Sequence, residues 1–473
     1  MLGSAACATN PATGGSMLSL VSESQEIQMG QEYMQQVEAT MPLLDDADLE
    51  AYVNRVGQEL AAISERPELP WSFKIADEPV VNAFALPGGP VYLTRGILGY
   101  FSSEAEMASV LGHEIGHITA RHSVEQISRQ LLAGLGLLIG AVASPVVRQN
   151  LENLSVGLQV LFLSYGRDDE HQSDMLGVRY ALKTDYDVAE AVTMHEKLGR
   201  LSSQSASAGG GIPSWLSTHP SSADRVQRIQ AIVDTVSPAR LEGATLGRDA
   251  YLQRIDGLMF GENPREGYFQ SSGRFVHPDL AFRLDYPSDW QKANMPQQTV
   301  ALSPAEDAMI QLMLASGTGH AAAAREFFGQ EGLTSRQVRQ VNVNGNPATI
   351  GYFQAQTENG VLEGMVGFLD YDGRTYRILG YTVQGKLGAY DTAFRSVVDS
   401  FARLTDRAAL AVQPMRIDIV RVDNATTIAQ LSRSRGSPVA ASELAIVNGM
   451  DVNETIPAGT SIKWVVGRKP PGS

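Results

Sequence analysis

The sequence has very little cysteine, a deficit of positive charge and no long uninterrupted apolar run. Cys7 is the only cysteine among 473 residues, which excludes a framework of disulfide bonds. Lysine and arginine number 37 against 52 aspartate and glutamate residues, so the net charge is −15. Because nucleic acids and anionic membrane surfaces are bound through basic patches, this balance argues against both as main partners.

Apolar runs stay short of the roughly 18 residues that a membrane-spanning helix needs. The nearest candidate, residues 131–147, is interrupted by Ser144 and Pro145 and predicts a buried or interfacial hairpin. A complete secretory signal is also missing from the N-terminus. Small residues precede Cys7 as they do in lipidated bacterial proteins, so we expect a trimmed lipoprotein signal followed by a flexible tether; otherwise Cys7 is incidental.

Against this background, residues 103–121 predict one amphipathic helix. Its apolar residues recur at steps of three and four, which places them on one face. Ser103 followed by Glu106 matches a capping box, in which each side chain binds a free N–H group of the first turn.

The same helix carries the pattern His113-Glu-x-x-His117. Residues four apart share a helix face, so two imidazole nitrogens can reach one Zn²⁺. Glu114 can then act as the general base toward a metal-bound water. The alternative is a buried helix that happens to carry two histidines.

A hydrolytic zinc site keeps three protein ligands and one open position. Residues 167–183 predict a second helix on which Glu170 and Asp174 lie four apart and face the same way. We predict Glu170 as the third ligand and Asp174 as the acceptor of a ring N–H from His113 or His117. The alternative is a solvated acidic face.

Two further segments flank this chemistry. Residues 81–98 predict two strands around the turn Pro87–Pro90, either a structural hairpin or a sheet edge for an extended peptide. Residues 202–211 predict a flexible segment, and beyond it His219 stands at the entry to a helix. Taken alone, the pattern favours a surface histidine over one that reaches the site from a mobile loop.

Beyond residue 236 the pattern changes. Strand-like runs at 282–286, 309–314, 361–369 and 375–381, closed by a helix at 390–404, predict an α+β domain without a catalytic cluster. Residues 415–466 predict the order strand, helix, helix, strand.

Four motifs together resemble one zinc metallopeptidase family, the gluzincins that include the CAAX prenyl endopeptidases, HtpX and BepA. They occur in the family's order and spacing over about residues 22–235, and they are Asn82–Gly89 (NAFALPGG), His113–His117, Glu170 with Asp174, and Thr218–Ser221 with Arg225. Ser173 departs from the family's usual Ala. The lack of full membrane spans resembles the soluble or lipid-anchored members.

The resemblance implies a role for each matching residue. The expected roles are His113, His117 and Glu170 as ligands of one Zn²⁺ per chain, Glu114 as catalytic base, Asp174 as the residue that orients a ligand, Asn82, Ala83 and Phe84 as the substrate-binding edge, and His219 and Arg225 as groups that stabilise the transition state or close the resting site.

The expected fold is α+β and multidomain: a mostly helical zincin with a small sheet, an α+β domain and a small βααβ domain. The predicted boundaries are a tether at 1–21, the metallopeptidase domain at 22–236, a linker at 237–272, a weakly PsbP-like domain at 273–405 and a LysM-like domain at 413–468. The last departs from the LysM pattern at Asp423–Thr426, where a Gly-Asp-Thr turn is usual.

The expected function is a zinc endopeptidase that cleaves unfolded or mis-assembled proteins in the bacterial periplasm or at the outer membrane. Lipidation of Cys7 and the apolar residues 131–147 would associate it with a membrane, and the LysM-like domain would bind peptidoglycan or an envelope protein. The alternatives are a latent or non-catalytic zinc protein that acts as a chaperone-like binder, and a wall-associated adaptor.

Overall fold

The computed structural model describes residues 7–129, 165–207, 219, 223–317, 319–357 and 360–472. Contacts divide the chain into two compact units, one made of residues 1–262 and 415–467 and the other of residues 263–414 and 468–473. Within the described ranges, no helix is long and apolar enough to cross a membrane. The apolar hairpin predicted at 131–147 lies outside the described residues.

The first unit is mostly helical. Up to residue 262 its helices are α1 (Glu23–Thr40), α2 (Ala47–Ala61), α3 (Arg95–Tyr100), α4 (Glu104–Thr119), α5 (Arg167–Lys183), α6 (Ala189–Ser207), α7 (Ala223–Val233), α8 (Pro238–Glu242) and α9 (Arg248–Arg254). Its strands there are β1 (Cys7–Thr9), β2 (Ser16–Leu18), β3 (Ser72–Ala76), β4 (Ala83–Ala85), β5 (Pro90–Thr94) and β6 (Met259–Phe260). A further helical stretch covers residues 122–129.

A three-stranded sheet in the order β3-β5-β4 lies beside these helices. Strand β3 runs parallel to β5, and β4 runs antiparallel to β5. The predicted hairpin at residues 81–98 is therefore confirmed. Strand β4 is an edge strand of this sheet.

The second unit is an α+β arrangement. Its strands are β7 (Tyr268–Phe269), β8 (Arg274–His277), β9 (Phe282–Asp285), β10 (Gln291–Met295), β11 (Gln298–Leu302), β12 (Ala308–Leu314), β13 (Leu333–Val343), β14 (Asn346–Thr357), β15 (Gly360–Tyr371), β16 (Arg374–Val383) and β17 (Ala402–Arg403). Its helices are α10 (His320–Phe328), α11 (Leu387–Ser400) and α12 (Arg407–Leu410), with a 3₁₀ turn at Pro264–Glu266. The sheet orders are β10-β11-β12-β16-β15-β14-β13 and β17-β9-β8-β7.

The predicted strand-helix-helix-strand order of residues 415–466 is confirmed. The elements are β18 (Met415–Arg421), α13 (Ile428–Arg435), α14 (Ala441–Asn448) and β19 (Ser461–Val466). Strand β18 pairs with both β19 and β6. The buried Lys463 ammonium donates to the carbonyl oxygens of Gly99 (3.0 Å) and Phe101 (2.6 Å). This segment therefore packs into the same core as α3 and α4.

Residues 7–21 of the predicted tether, and residues 237–262 of the segment predicted as a helical or irregular linker, are ordered parts of the first unit. Residues 7–18 form a two-stranded hairpin instead of a flexible tether, because the buried amide of Asn10 binds the carbonyl of Ala120 at 3.1 Å. In the predicted linker, Tyr251 and Ile255 are fully buried in the core.

The predicted capping box of α4 forms only in part. Ser103 Oγ accepts the N–H of Glu106 at 3.0 Å, as expected. The Glu106 carboxylate accepts the N–H of Ser102 instead of that of Ser103, at 2.6 Å. It is also bound by the buried ammonium of Lys197 at 2.7 and 2.8 Å, so its position serves a tertiary ion pair.

Small residues bring α4 and α5 into close contact. Gly112 and Gly116 of α4 face Gly177 and Ser173 of α5. A Cβ atom on Gly177 would lie 2.8 Å from the backbone nitrogen of His113, closer than real Cβ contacts. This backbone contact places the first two turns of α5 beside the histidine pair of α4.

We therefore predict that Gly177→Ala destabilises the chain by about 1–3 kcal/mol, because the added methyl group must push the two helices apart. The matched control is Gly199→Ala in α6, where an added Cβ meets no atom within 4 Å. Both substitutions gain roughly 1 kcal/mol of helix propensity. The difference between their changes in the free energy of unfolding therefore measures the cost of the steric contact. Denaturant unfolding measures both; equal stabilities would contradict a tight α4–α5 contact.

Candidate metal centre

Four buried side chains converge where α4 meets α5. Ligand atoms of His113, His117, Glu170 and His219 all lie within 4.8 Å of one another. His113 Nε2 lies 3.0 Å from His117 Nε2 and 3.2 Å from His219 Nδ1, and the latter lies 2.9 Å from Glu170 Oε1. Tetrahedral zinc ligands at bonds of about 2.0–2.1 Å are separated by roughly 3.3 Å. The spacing and chemistry of these donors fit such an ion.

Glu114 adds a buried carboxylate to this cluster. Its side chain is fully buried, and neither oxygen has a hydrogen-bond partner among the described residues. His219 Nε2 lies 3.5 Å from Glu114 Oε1, within ion-pair distance. A buried carboxylate that accepts no hydrogen bond is costly, so this position fits a group beside a cation or a polarised water.

Asp174 lies where the sequence predicted it. Its Oδ1 atom is 2.9 Å from His113 Nδ1. Because the carboxylate accepts, Nδ1 carries the proton and the lone pair of Nε2 faces the cluster. Burial raises the pKa of Asp174, but hydrogen bonds from His113 and His195 outweigh it and hold the pKa well below its usual range.

Arg225 binds both carboxylates of α5. Its guanidinium approaches Glu170 Oε2 at 2.6 Å and makes two contacts to Asp174, at 2.6 and 2.9 Å. All three side chains are buried. Burial raises the pKa of Glu170, but the charge and hydrogen bond of His219 and the charge of His113 outweigh it, so the pKa falls to about 2.

His219 is buried at 1% exposure, so the surface position favoured by its local pattern is wrong. The physical reason is tertiary. Burial lowers the pKa of its ring, but the carboxylates of Glu170 and Glu114 outweigh burial and raise it. The adjoining residues 218 and 220–222 lie outside the described residues.

Three residues near the cluster escaped sequence reasoning. His122 Nδ1 lies 2.9 Å from His117 Nδ1, the Tyr165 ring stacks on His117 at 3.8 Å, and His195 Nε2 lies 3.1 Å from Arg225. His122 follows His117 by five residues, a spacing that could have revealed it. No local signal marks Tyr165 or His195.

The predicted substrate-binding residues lie in or next to the edge strand β4. The N–H of Asn82 donates to Thr94 Oγ1 at 3.0 Å, whereas its buried Oδ1 has no hydrogen-bond partner in the described part of the chain. Ala83 and Phe84 belong to β4, and the Phe84 ring stacks on Tyr92 at 5.0 Å.

Comparison with known proteins finds similarity over part of this chain. Residues 47–233 match the family model of Peptidase family M48. The Escherichia coli (strain K12) beta-barrel assembly-enhancing protease is 29% identical over 304 residues, which cover 62% of this chain and 58% of that protein. The Arabidopsis thaliana mitochondrial metalloendopeptidase OMA1 is 34% identical over 183 residues, 39% of this chain and 36% of that protein. Residues 47–233 are therefore similar to metallopeptidases, and the chain spans less than two thirds of the length of these relatives.

A solved structure resembles a smaller part. The solution structure of cyanobacterial PsbP from Synechocystis aligns with 28% of this chain and 91% of its own, at 12% identity and a TM-score of 0.23.

We predict that Arg225→Met destabilises the metal-free chain by about 3–5 kcal/mol, because it leaves Glu170 and Asp174 buried without their cation. Arg228→Met on the same helix is the control. Its side chain is 58% exposed and, among the described residues, forms an ion pair only with exposed Asp224, so its loss costs about 0.5 kcal/mol or less. Thermal and denaturant unfolding compare the two; equal losses would contradict the buried ion-pair assignment.

Proposed function

We propose that this chain, which carries a peptidase family M48 domain over residues 47–233, is a zinc-dependent endopeptidase. The observation that carries the proposal is the fully buried carboxylate of Glu114, which accepts no hydrogen bond from the described residues and lies beside convergent imidazole and carboxylate ligand atoms. This arrangement suits a base that faces a reacting water next to a cation. Metalloendopeptidase relatives support the same reaction class.

His113, His117 and Glu170 would hold the ion, and Asp174 would keep the His113 ring in the tautomer that presents Nε2. Zn²⁺ bound there would supply a Lewis acid and lower the pKa of a coordinated water toward about 7. Glu114 would take the proton of the attacking water as the water adds to the scissile carbonyl carbon. It would then deliver that proton to the leaving amine as the C–N bond breaks.

His219 and Arg225 are proposed to stabilise the oxyanion that develops on the scissile carbonyl. The buried position of His219, 3.5 Å from Glu114, supports a place near the reacting atoms. The contacts of Arg225 with Glu170 and Asp174 support an indirect role through the ligand set.

The proposed substrates are unfolded or mis-assembled proteins of the bacterial envelope. Edge strand β4, with Asn82, Ala83 and Phe84, would pair with an extended main chain, which requires a substrate without stable structure. The name of the Escherichia coli relative supports an envelope role. We place the chain in the periplasm or at the outer membrane, with a lipid on Cys7 to be tested by intact mass of the native protein.

A latent or non-catalytic zinc protein is the second candidate, and the position of His219 favours it. Four protein ligands around zinc characterise structural sites, whereas catalytic sites keep an open position. His219 lies within the set of candidate ligands as a potential fourth member. In this state the chain would bind unfolded proteins without cutting them.

The third candidate is a wall-associated adaptor, based on the LysM-like segment 413–468. Residues 415–467 belong to the same compact unit as the metallopeptidase domain, so any glycan would have to bind on the outside of that unit. Retention of the full chain on purified peptidoglycan tests the adaptor proposal, and absence of retention would contradict it.

The main prediction concerns Glu114→Gln, which keeps the shape of the side chain but removes its basic oxygen. We expect loss of casein cleavage by a factor of at least about 100, the usual scale of a general base. Zinc content, measured by metal analysis, should remain one ion per chain. Equal cleavage by the variant and the native chain would overturn the assignment of the base.

Zinc binding itself is tested by stability. Added Zn²⁺ at 100 times its Kd should stabilise the folded chain by about 2.7 kcal/mol. His117→Ala should abolish this gain, whereas His277→Asn in the second unit should retain it. A gain that survives His117→Ala would place the ion elsewhere.

His219→Ala separates the two candidate functions. If His219 closes the resting site, the variant should keep zinc on three ligands and cut casein faster than the native chain. If His219 stabilises the transition state, zinc should remain and kcat should fall by about 10²–10³. If neither the native chain nor His219→Ala cleaves casein, the result supports the non-catalytic zinc protein.

A further inference from the structure

The second histidine of the metal pair needs a defined tautomer. A ring nitrogen can bind a metal only with its lone pair, so His117 must keep its proton on Nδ1 if Nε2 is the ligand. His113 has Asp174 for this purpose. The Nδ1 atom of His117 faces another imidazole instead, His122 Nδ1 at 2.9 Å, and an imidazole can donate or accept.

Which of the two imidazoles donates in this contact follows from a chain of hydrogen bonds that starts at the Asn10 amide. The Oδ1 atom of Asn10 receives the N–H of Ala12 at 2.9 Å and that of Thr13 at 3.2 Å. Its Nδ2 atom donates to the carbonyl oxygen of Ala120 at 3.1 Å. Two backbone donors and one backbone acceptor thus leave a single orientation for the Asn10 amide.

The oriented amide fixes the next side chain. Asn10 Nδ2 lies 3.1 Å from Gln172 Oε1. If the Gln172 amide were reversed, two NH₂ groups would face each other at this distance. Gln172 therefore presents its oxygen, which has two lone pairs and also lies 2.8 Å from His122 Nε2.

An amide oxygen only accepts, so His122 Nε2 carries a proton and donates it to Gln172. In the neutral ring, His122 Nδ1 is then the acceptor. The donor of the hydrogen bond between the two Nδ1 atoms must then be His117, so its proton is on Nδ1. His117 Nε2 keeps its lone pair, which faces His113 and the other candidate ligands. His117 and His122 are both buried, so water does not compete for these contacts.

We propose that Asn10, Gln172 and His122 are positioning residues that fix the proton of His117 on Nδ1 and thereby present Nε2 to the metal. This inference rests on the metal site of the proposed function. It assigns a role to the N-terminal hairpin, because Asn10 lies between β1 and β2. Outer groups of this kind typically change metal affinity 10- to 100-fold when they are lost.

The test uses the full chain with Gln172→Met, which removes the acceptor, and Gln172→Glu, which keeps acceptor oxygens toward both neighbours. Zinc Kd is measured by chelator competition. The protonated ring nitrogen of His117 is identified from ¹⁵N NMR of the metal-free protein. Gln28→Met, at an exposed position of α1, controls for the side-chain replacement itself.

We expect Gln172→Met to raise the zinc Kd 10- to 100-fold and to allow the His117 proton onto Nε2. Gln172→Glu should keep the native zinc Kd and the native position of the His117 proton. A packing role alone would not give this rescue. If Gln172→Met fails to fold, Asn10→Ala should shift both readouts in the same direction.

The proposal would be overturned if Gln172→Met kept the His117 proton on Nδ1 and left the zinc affinity unchanged. The same outcome in Asn10→Ala, where that variant is used, would also overturn it. So would a native chain whose metal-free His117 is protonated on Nε2. A native chain that binds zinc with the expected proton position yet cuts no protein would contradict the endopeptidase and leave this inference standing.

Discussion

The close contact between α4 and α5 is the constraint on which the candidate site depends. Side chains from two helices can place their ligand atoms around one point only if the two helix backbones lie close together. Gly112 and Gly177 permit that approach, because neither carries a Cβ atom at the crossing. Once the helices are in contact, Glu170 lies beside the histidine pair and Asp174 lies beside His113. The contact between the two helices thus brings candidate ligands from both together.

Charge balance explains the residues packed around the ligand atoms. Glu114, Glu170 and Asp174 are buried together, and Arg225 is the buried guanidinium that contacts two of them. With neutral imidazoles, these four groups carry an excess of two negative charges, which suits a divalent cation. In a buried environment of low dielectric such an excess is costly without compensation. The raised pKa of His219, caused by the carboxylates of Glu170 and Glu114 against the effect of burial, reflects the same imbalance.

Local sequence predicted the elements whose residues repeat regularly and missed features that arise from contacts distant in sequence. The bounds of α5 were predicted to the residue, and α4 begins and ends within two residues of the predicted helix. Strand β13 was missed because it is an exposed edge strand with mostly polar residues and lacks apolar alternation. The burial of His219 and the contact of Asn10 with Gln172 could not be predicted from local pattern, because each depends on residues at least 49 positions away.

The pairing of β18 with β6 has a consequence for how the chain is made. Residues 263–414 form their own unit between these two strands, so the first unit is discontinuous in sequence. A ribosome that has synthesised α4 and α5, which carry candidate ligands, has not yet produced Trp464 or Lys463, which complete the core around α3 and α4. During translation every strand and helix of the inserted unit is therefore synthesised before β19, and the surrounding unit closes only after β19 has left the exit tunnel. A nascent chain released early would keep every candidate ligand but lack the strand that seals the core beside them.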